Sequence, residues 1–142
     1  KPLEVCFILN QTAEKWIEKG KARQINSLEA FEILNRTNHH GLVHLSLYMP
    51  DHELFALCSC CPCCCHDLQL LLKYDKTHFT TKSDYIAVDD PAACSICGEC
   101  VKRCPFDARI LRDELVFEPD NCYGCGLCVT TCPESAIQMV QV

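Results

Sequence analysis

Cysteines offer most of the chemistry in this chain, 15 of its 142 residues, and eight of them fall into two copies of one pattern, C-x2-C-x2-C-x3-C-P. A shift of 28 residues carries Cys94, Cys97, Cys100, Cys104, Pro105 and Ala108 onto Cys122, Cys125, Cys128, Cys132, Pro133 and Ala136. Thiols at such density either bind soft metals or pair as disulfides, and the two need opposite redox compartments. Structural zinc uses two C-x-x-C pairs separated by a longer loop, which this unit lacks. A disulfide framework calls for export, for which no apolar leader is visible, and gives no reason for a tandem unit. The spacing therefore favours thiolates arranged around metal, in a cytoplasmic setting.

The paired units resemble the bacterial-type ferredoxin domain with two [4Fe–4S] clusters, standing at the end of a longer multi-cluster iron–sulfur protein of anaerobes or archaea. The likeness covers residues 84–142 and shows no departure at the ligand positions. Three cysteines spaced two apart let one tight loop wrap three corners of an iron–sulfur cube. Gly98, Gly124 and Gly126 open backbone conformations closed to bulkier residues and let amide N–H groups approach sulfur. Cys104 lies a full helical turn beyond Cys100 and faces away from the first cube. The resemblance implies that Cys94, Cys97, Cys100 and Cys132 hold one cluster, and that Cys122, Cys125, Cys128 and Cys104 hold the second. Pro105 and Pro133 discourage helical backbone at the cysteines before them.

Two cubes leave seven cysteines over: Cys6, Cys58, Cys60, Cys61, Cys63, Cys64 and Cys65. Neighbouring side chains cannot all aim at one metal atom. On an extended segment Cys58 and Cys60 share a face. If a helix begins near Pro62, then Cys61, Cys64 and Cys65 approach a common side with Leu68. An additional iron–sulfur site drawing on both groups, with Cys6 brought in from upstream, is the reading this density favours. Zinc, a thiol–disulfide switch and an unligated cysteine patch are the alternatives. The run from Ser27 to Leu34, then Gly41 to His44, then the cysteine-rich segment is similar in composition to multi-cluster iron–sulfur proteins that carry further cysteines upstream. On that likeness the opening Lys1-Pro2-Leu3 continues a segment absent here.

The elements that must position these residues are legible in outline. Ala13, Trp16 and Ile17 recur at helical spacing, with Gly20 placed as a left-handed cap. Asn26 and Glu29 stand in capping-box register before a helix whose apolar face is Leu28, Phe31, Ile33 and Leu34, closed by Gly41. Trp16 and Phe31 read as core residues. Val43, Leu45, Leu47 and Met49 alternate with polar neighbours as a half-buried strand ending at Pro50, and Asp51 and His52 turn. Leu68, Leu71 and Leu72 suggest a short helix, and the polar run Lys76 to Asp84 reads as a linker. Residues 85–88 and 137–140 bracket the repeats as strands, and residues 109–111 and 115–117 form a hairpin. The predicted fold is α+β: a small α/β cysteine-rich domain over 1–76, then a pseudo-twofold dicluster domain of short strands and helices over 84–142.

Charged residues make up 23% of the chain and hydrophobic ones 49%, which argues against disorder, and no apolar run approaches the length of a membrane span. With 13 basic against 19 acidic residues the net charge is −6, so nucleic acid is not an expected partner. The acidic surface is a solvated face or a dock for a basic redox protein. His66 follows Cys65, but a Rieske-type centre needs paired histidines and cysteines at spacings not found here. His39, His40, His44, His52 and His78 read as surface or strand residues. The expected function is relay of single electrons to a redox partner or within a larger oxidoreductase. Its rivals are an enzyme with an exposed iron in the Cys58–Cys65 segment and a module that carries clusters to other proteins.

Overall fold

The computed structural model describes residues 2–142, leaving Lys1 outside. Contacts divide the chain into two compact units, the first reaching to Cys60 and the second running Cys61–Val142. The polar run expected as a linker thus lies inside the second unit.

The first unit is a three-stranded antiparallel sheet with two helices. Strands β1 (Phe7–Ile8), β2 (Val43–Tyr48) and β3 (Leu54–Cys60) take the order β1-β3-β2, and β1 is a strand that periodicity did not announce. Helices α1 (Asn10–Glu18) and α2 (Ser27–His39) end in the same way. The Gly20 N–H reaches Ile17 O and the Lys21 N–H reaches Trp16 O, as Gly41 reaches Asn38 O and Leu42 reaches Thr37 O. Both are Schellman closures with glycine in the left-handed position, φ 65° and 76°.

Three local expectations are corrected. Only half of the capping box forms: Asn26 Oδ1 accepts from the Glu29 N–H at 2.9 Å, but the Glu29 carboxylate turns to Arg23 at 2.5 Å. The buried face of α2 carries Ala30, Ile33, Leu34 and Thr37, an i, i+3, i+4, i+7 stripe, so Leu28 and Phe31 fall on the other side. Phe31 is 64% exposed and Trp16 is 42% exposed, and neither is a core residue. Trp16 and Ile17 line an apolar cavity of about 620 Å³ that they share with Phe7, Leu9, Ile33 and Leu57.

Strand β3 pairs with β2 in the register Val43↔Cys60, His44↔Ser59 and Leu45↔Cys58. His44 Nδ1 lies 3.1 Å from Ser59 Oγ, and Ser59 is buried. Burial holds the His44 pKa below the ordinary histidine value, against a hydrogen bond to the Leu34 backbone.

The second unit begins with a turn in which the Cys64 and Cys65 N–H groups both donate to Cys61 O, at 3.1 and 2.9 Å. Helix α3 (His66–Tyr74) starts four residues later than a start at Pro62 would give, with Cys65 at its N-cap in extended backbone. Leu68 and Leu71 are its buried residues. Beyond a 3-10 turn at Thr77–Phe79, β4 (Tyr85–Asp89) pairs antiparallel with β7 (Ile137–Gln141), and β5 (Arg109–Leu111) pairs with β6 (Leu115–Phe117). Helices α4 (Glu99–Arg103) and α5 (Leu127–Thr131), five residues each, pack together. Ala87, Cys100, Cys128 and Ile137 form the buried cluster between these elements.

Because the folded state holds His44 neutral, the unfolded chain binds a proton more readily. The stability associated with His44 is complete above the unfolded histidine value of about 6.5 and falls as pH drops through it toward the lower folded value. Thermal unfolding of the full chain should show a transition that weakens between pH 7 and 5, and His44→Gln should flatten that dependence. An unchanged slope in the variant would contradict it.

Candidate functional site

Each repeat turns three times through left-handed backbone, twice in the loop that opens it and once beyond its helix, at the same positions in both copies. Ile96 and Gly124 have φ 57° and 67°, Gly98 and Gly126 have 74° and 71°, and Asp107 and Ser135 have 54° and 53°. Gly98 and Gly126 are the N-caps of α4 and α5. Both helices then stop at a cysteine: Cys104 (φ −79°, ψ 117°) and Cys132 (φ −75°, ψ 115°) are extended because a proline follows each.

That turn carries the fourth cysteine out of its own loop. Cys104 lines one cavity with Cys122, Cys125 and Cys128, and Cys132 lines another with Cys94, Cys97 and Cys100. The electrostatics agree with the first grouping. Burial pushes the Cys125 thiol up to about 12, opposed by the Leu127 backbone N–H and reinforced by Cys128, Cys104 and Cys122. Burial likewise raises Cys128 and Cys100, and Arg109 opposes the rise at both. Buried thiols that would repel one another as thiolates stay protonated unless positive charge is bound among them.

The spread of the sulfurs limits what that charge can be. Zinc bonded to sulfur at about 2.3 Å draws tetrahedral ligands to roughly 3.8 Å from one another. Among the described residues only Cys61, Cys63 and Cys64 bring three metal-ligating atoms within 4.8 Å of one another. No three sulfurs of the eight repeat cysteines lie that close, so neither set is drawn together as a mononuclear tetrahedral site would draw it. The Ala136 N–H also donates to Cys132 Sγ at 3.3 Å, the kind of contact that tunes such sulfurs.

Residues 86–133 match the family model of the 4Fe–4S dicluster domain. The match starts in β4, ends one residue past Cys132 and takes in all eight cysteines of the repeats. A dicluster domain indicates 4Fe–4S cluster binding and points to iron–sulfur electron transfer. Comparison with curated proteins finds no match to the chain. No helix among the described residues is long and apolar enough to cross a membrane.

Cys61, Cys63 and Cys64 converge in the second unit, with Cys61 and Cys63 joined as a disulfide and the Cys63 N–H donating to Cys61 Sγ at 3.3 Å. Cys65 is not in that group and serves at the α3 N-terminus. In the first unit, Cys58 and Cys60 lie on β3 opposite Leu45 and Val43, and exposed Cys6 edges the apolar cavity. His66 is exposed and lies 3.4 Å from its neighbour Asp67.

Arg109 is the residue of the dicluster segment that motif reading passed over. It is buried, donates Nη1 to Asp89 Oδ1 and, at 3.1 Å, Nη2 to Ala87 O, and lies 5.0 Å over the Phe117 ring. Burial disfavours its charge, but Cys128 and Asp89 outweigh burial and raise its pKa, so it remains cationic. The signal was present in the repeat: a shift of 28 places Arg109 on apolar Ile137.

Gly124 cannot be replaced cheaply. A Cβ there would fall on the Tyr85 carbonyl oxygen, and the Ser83 N–H is bonded to Tyr123 O beside it at 3.3 Å. Its counterpart Ile96 holds a β-branched side chain in the same left-handed region, half exposed. Gly124→Ala should destabilise the protein by more than about 2 kcal/mol, whereas Ile96→Gly should be neutral or stabilising by up to about 1 kcal/mol. Thermal unfolding of anaerobically purified variants tests the contrast; equal effects would refute it.

Proposed function

We propose that the chain is an iron–sulfur electron-transfer protein or subunit that passes single electrons through two [4Fe–4S] clusters in its second unit. Cys94, Cys97, Cys100 and Cys132 would hold one, and Cys122, Cys125, Cys128 and Cys104 the other. The observation that carries this reading is the exchange of the fourth cysteine, with Cys104 and Cys132 each lining the cavity formed by the other repeat's loop. A cluster held by four thiolates stores and releases one electron while leaving no position for substrate. The chain's own residues supply short, rigid helices that fix the sulfurs, N–H donors to sulfur, and apolar packing from Ala87, Val101, Val129 and Ile137 that keeps water from the space between the sets. The partner is a redox protein or a larger oxidoreductase, and the net charge of −6 suits a basic docking face.

An additional cysteine-bound site at Cys61, Cys63 and Cys64 belongs to the same proposal. Cys63 and Cys64 are exposed, and the three sulfurs converge on a common point. Paired as a disulfide, Cys61 and Cys63 offer no thiolate to a metal. A dithiol reductant giving two electrons and two protons would free both thiols and itself become a disulfide. Three ligands leave a fourth position open, which is what favours, as a second reading, an oxidoreductase whose site in this cysteine-rich segment binds or reduces a substrate.

Anaerobic iron and sulfide counting, with paramagnetic resonance of the reduced state, tests both parts. About eight irons per chain support the pair of cubes, and about twelve add a third. Cys64→Ser should lower the count only in the second case, while Cys128→Ser should lower it in either. A purified wild-type chain free of iron would overturn the proposal.

A further inference from the structure

The two halves of the dicluster segment match at ligands, prolines and left-handed turns, yet differ at one position that is buried in both. Arg109 and Ile137 are repeat partners, each the first residue of a strand, and are 3% and 4% exposed. Where the second half places a hydrocarbon, the first buries a cation. Such a charge survives burial only if it is paired and hydrogen-bonded. Asp89 and Ala87 O on β4 meet one edge of the guanidinium, and the Phe117 ring covers it from β6. Arg109 lines the cavity of Cys104, Cys122, Cys125 and Cys128, whereas Ile137 lines that of Cys94, Cys97, Cys100 and Cys132. The cation stands beside one set and the hydrocarbon beside the other.

We infer that Arg109, fixed by Asp89 beside the set of Cys104, Cys122, Cys125 and Cys128, is a positioning residue that raises the reduction potential of that site relative to the other. The inference rests on the electron-transfer reading and goes beyond it. Adding an electron makes each set more negative, and a fixed positive charge donating to sulfur favours that state, so it raises the potential. Asp89 offsets part of this effect through its pairing with the guanidinium. The other set has an apolar side chain, Ile137, where this one has the ion pair, so the two sites differ in charge as well as in packing. A purely structural role would explain the burial and the bond to Asp89, but it predicts no change in potential when the charge is removed and the iron retained.

The sign pattern separates the two. Midpoint potentials of the anaerobic full-length protein are measured by redox titration followed by paramagnetic resonance, with the iron count of each sample as the control for occupancy. Arg109→Ile, which copies the second repeat, should lower at least one potential by a tenfold change in the one-electron equilibrium constant, about 59 mV. Asp89→Asn leaves the cation uncompensated and should shift potentials upward, while Arg109→Lys should stay nearer the wild type. Unmoved potentials at full iron content, or shifts of the same sign in Arg109→Ile and Asp89→Asn, overturn the inference while leaving the electron-carrier reading intact. If Arg109→Ile does not retain iron, the upward shift in Asp89→Asn decides it, and its absence overturns the inference. A wild-type chain without iron overturns both.

Discussion

The chemistry of this protein depends on where two five-residue helices stop. Each begins at a left-handed glycine, turns just over once and ends at a cysteine whose backbone a following proline forces out of the helical region. Stopped where they are, each sulfur faces the cavity of the other repeat. The exchange ties the halves together and brings Cys104 to Cys122, Cys125 and Cys128, where thiolates would repel one another unless they were protonated or bound to cations.

Around that frame the two halves diverge where ligation does not require them to agree. Gly124 is held by the Tyr85 carbonyl, so its position admits no side chain, while the first repeat tolerates Ile96 in the same backbone region because the residue is half exposed. Arg109 replaces the apolar partner Ile137 and brings Asp89 with it. These differences leave the sulfur positions equivalent and make their surroundings unequal. For two sites of the same composition, unequal surroundings are what give an electron a preferred side.

Features set by a few neighbouring residues were legible in the sequence. The repeat of 28, the strands at residues 85–88 and 137–140, the hairpin between them and the Schellman closures at Gly20 and Gly41 each depend on local spacing. Features decided by packing were not. Leu28 and Phe31 share a helix with Ile33 and Leu34, but the sheet covers only the stripe through Ala30, Ile33, Leu34 and Thr37. The start of α3 was misplaced because Pro62 suits a first helical turn, whereas Cys61 O accepts the Cys64 and Cys65 N–H groups in a separate turn. The role of Arg109 depends on Asp89, twenty residues earlier, and only comparison of the repeats hints at it.

The most direct test of the central claim is the paramagnetic resonance spectrum of the fully reduced, anaerobically isolated protein. Two cubes held by cross-ligated sets sit close enough for their unpaired electrons to interact, so the account predicts a broadened, spin-coupled spectrum that gives way to simpler signals when only one site is reduced. A fully reduced spectrum that is the plain sum of independent centres, or one with no cluster signal, would contradict it.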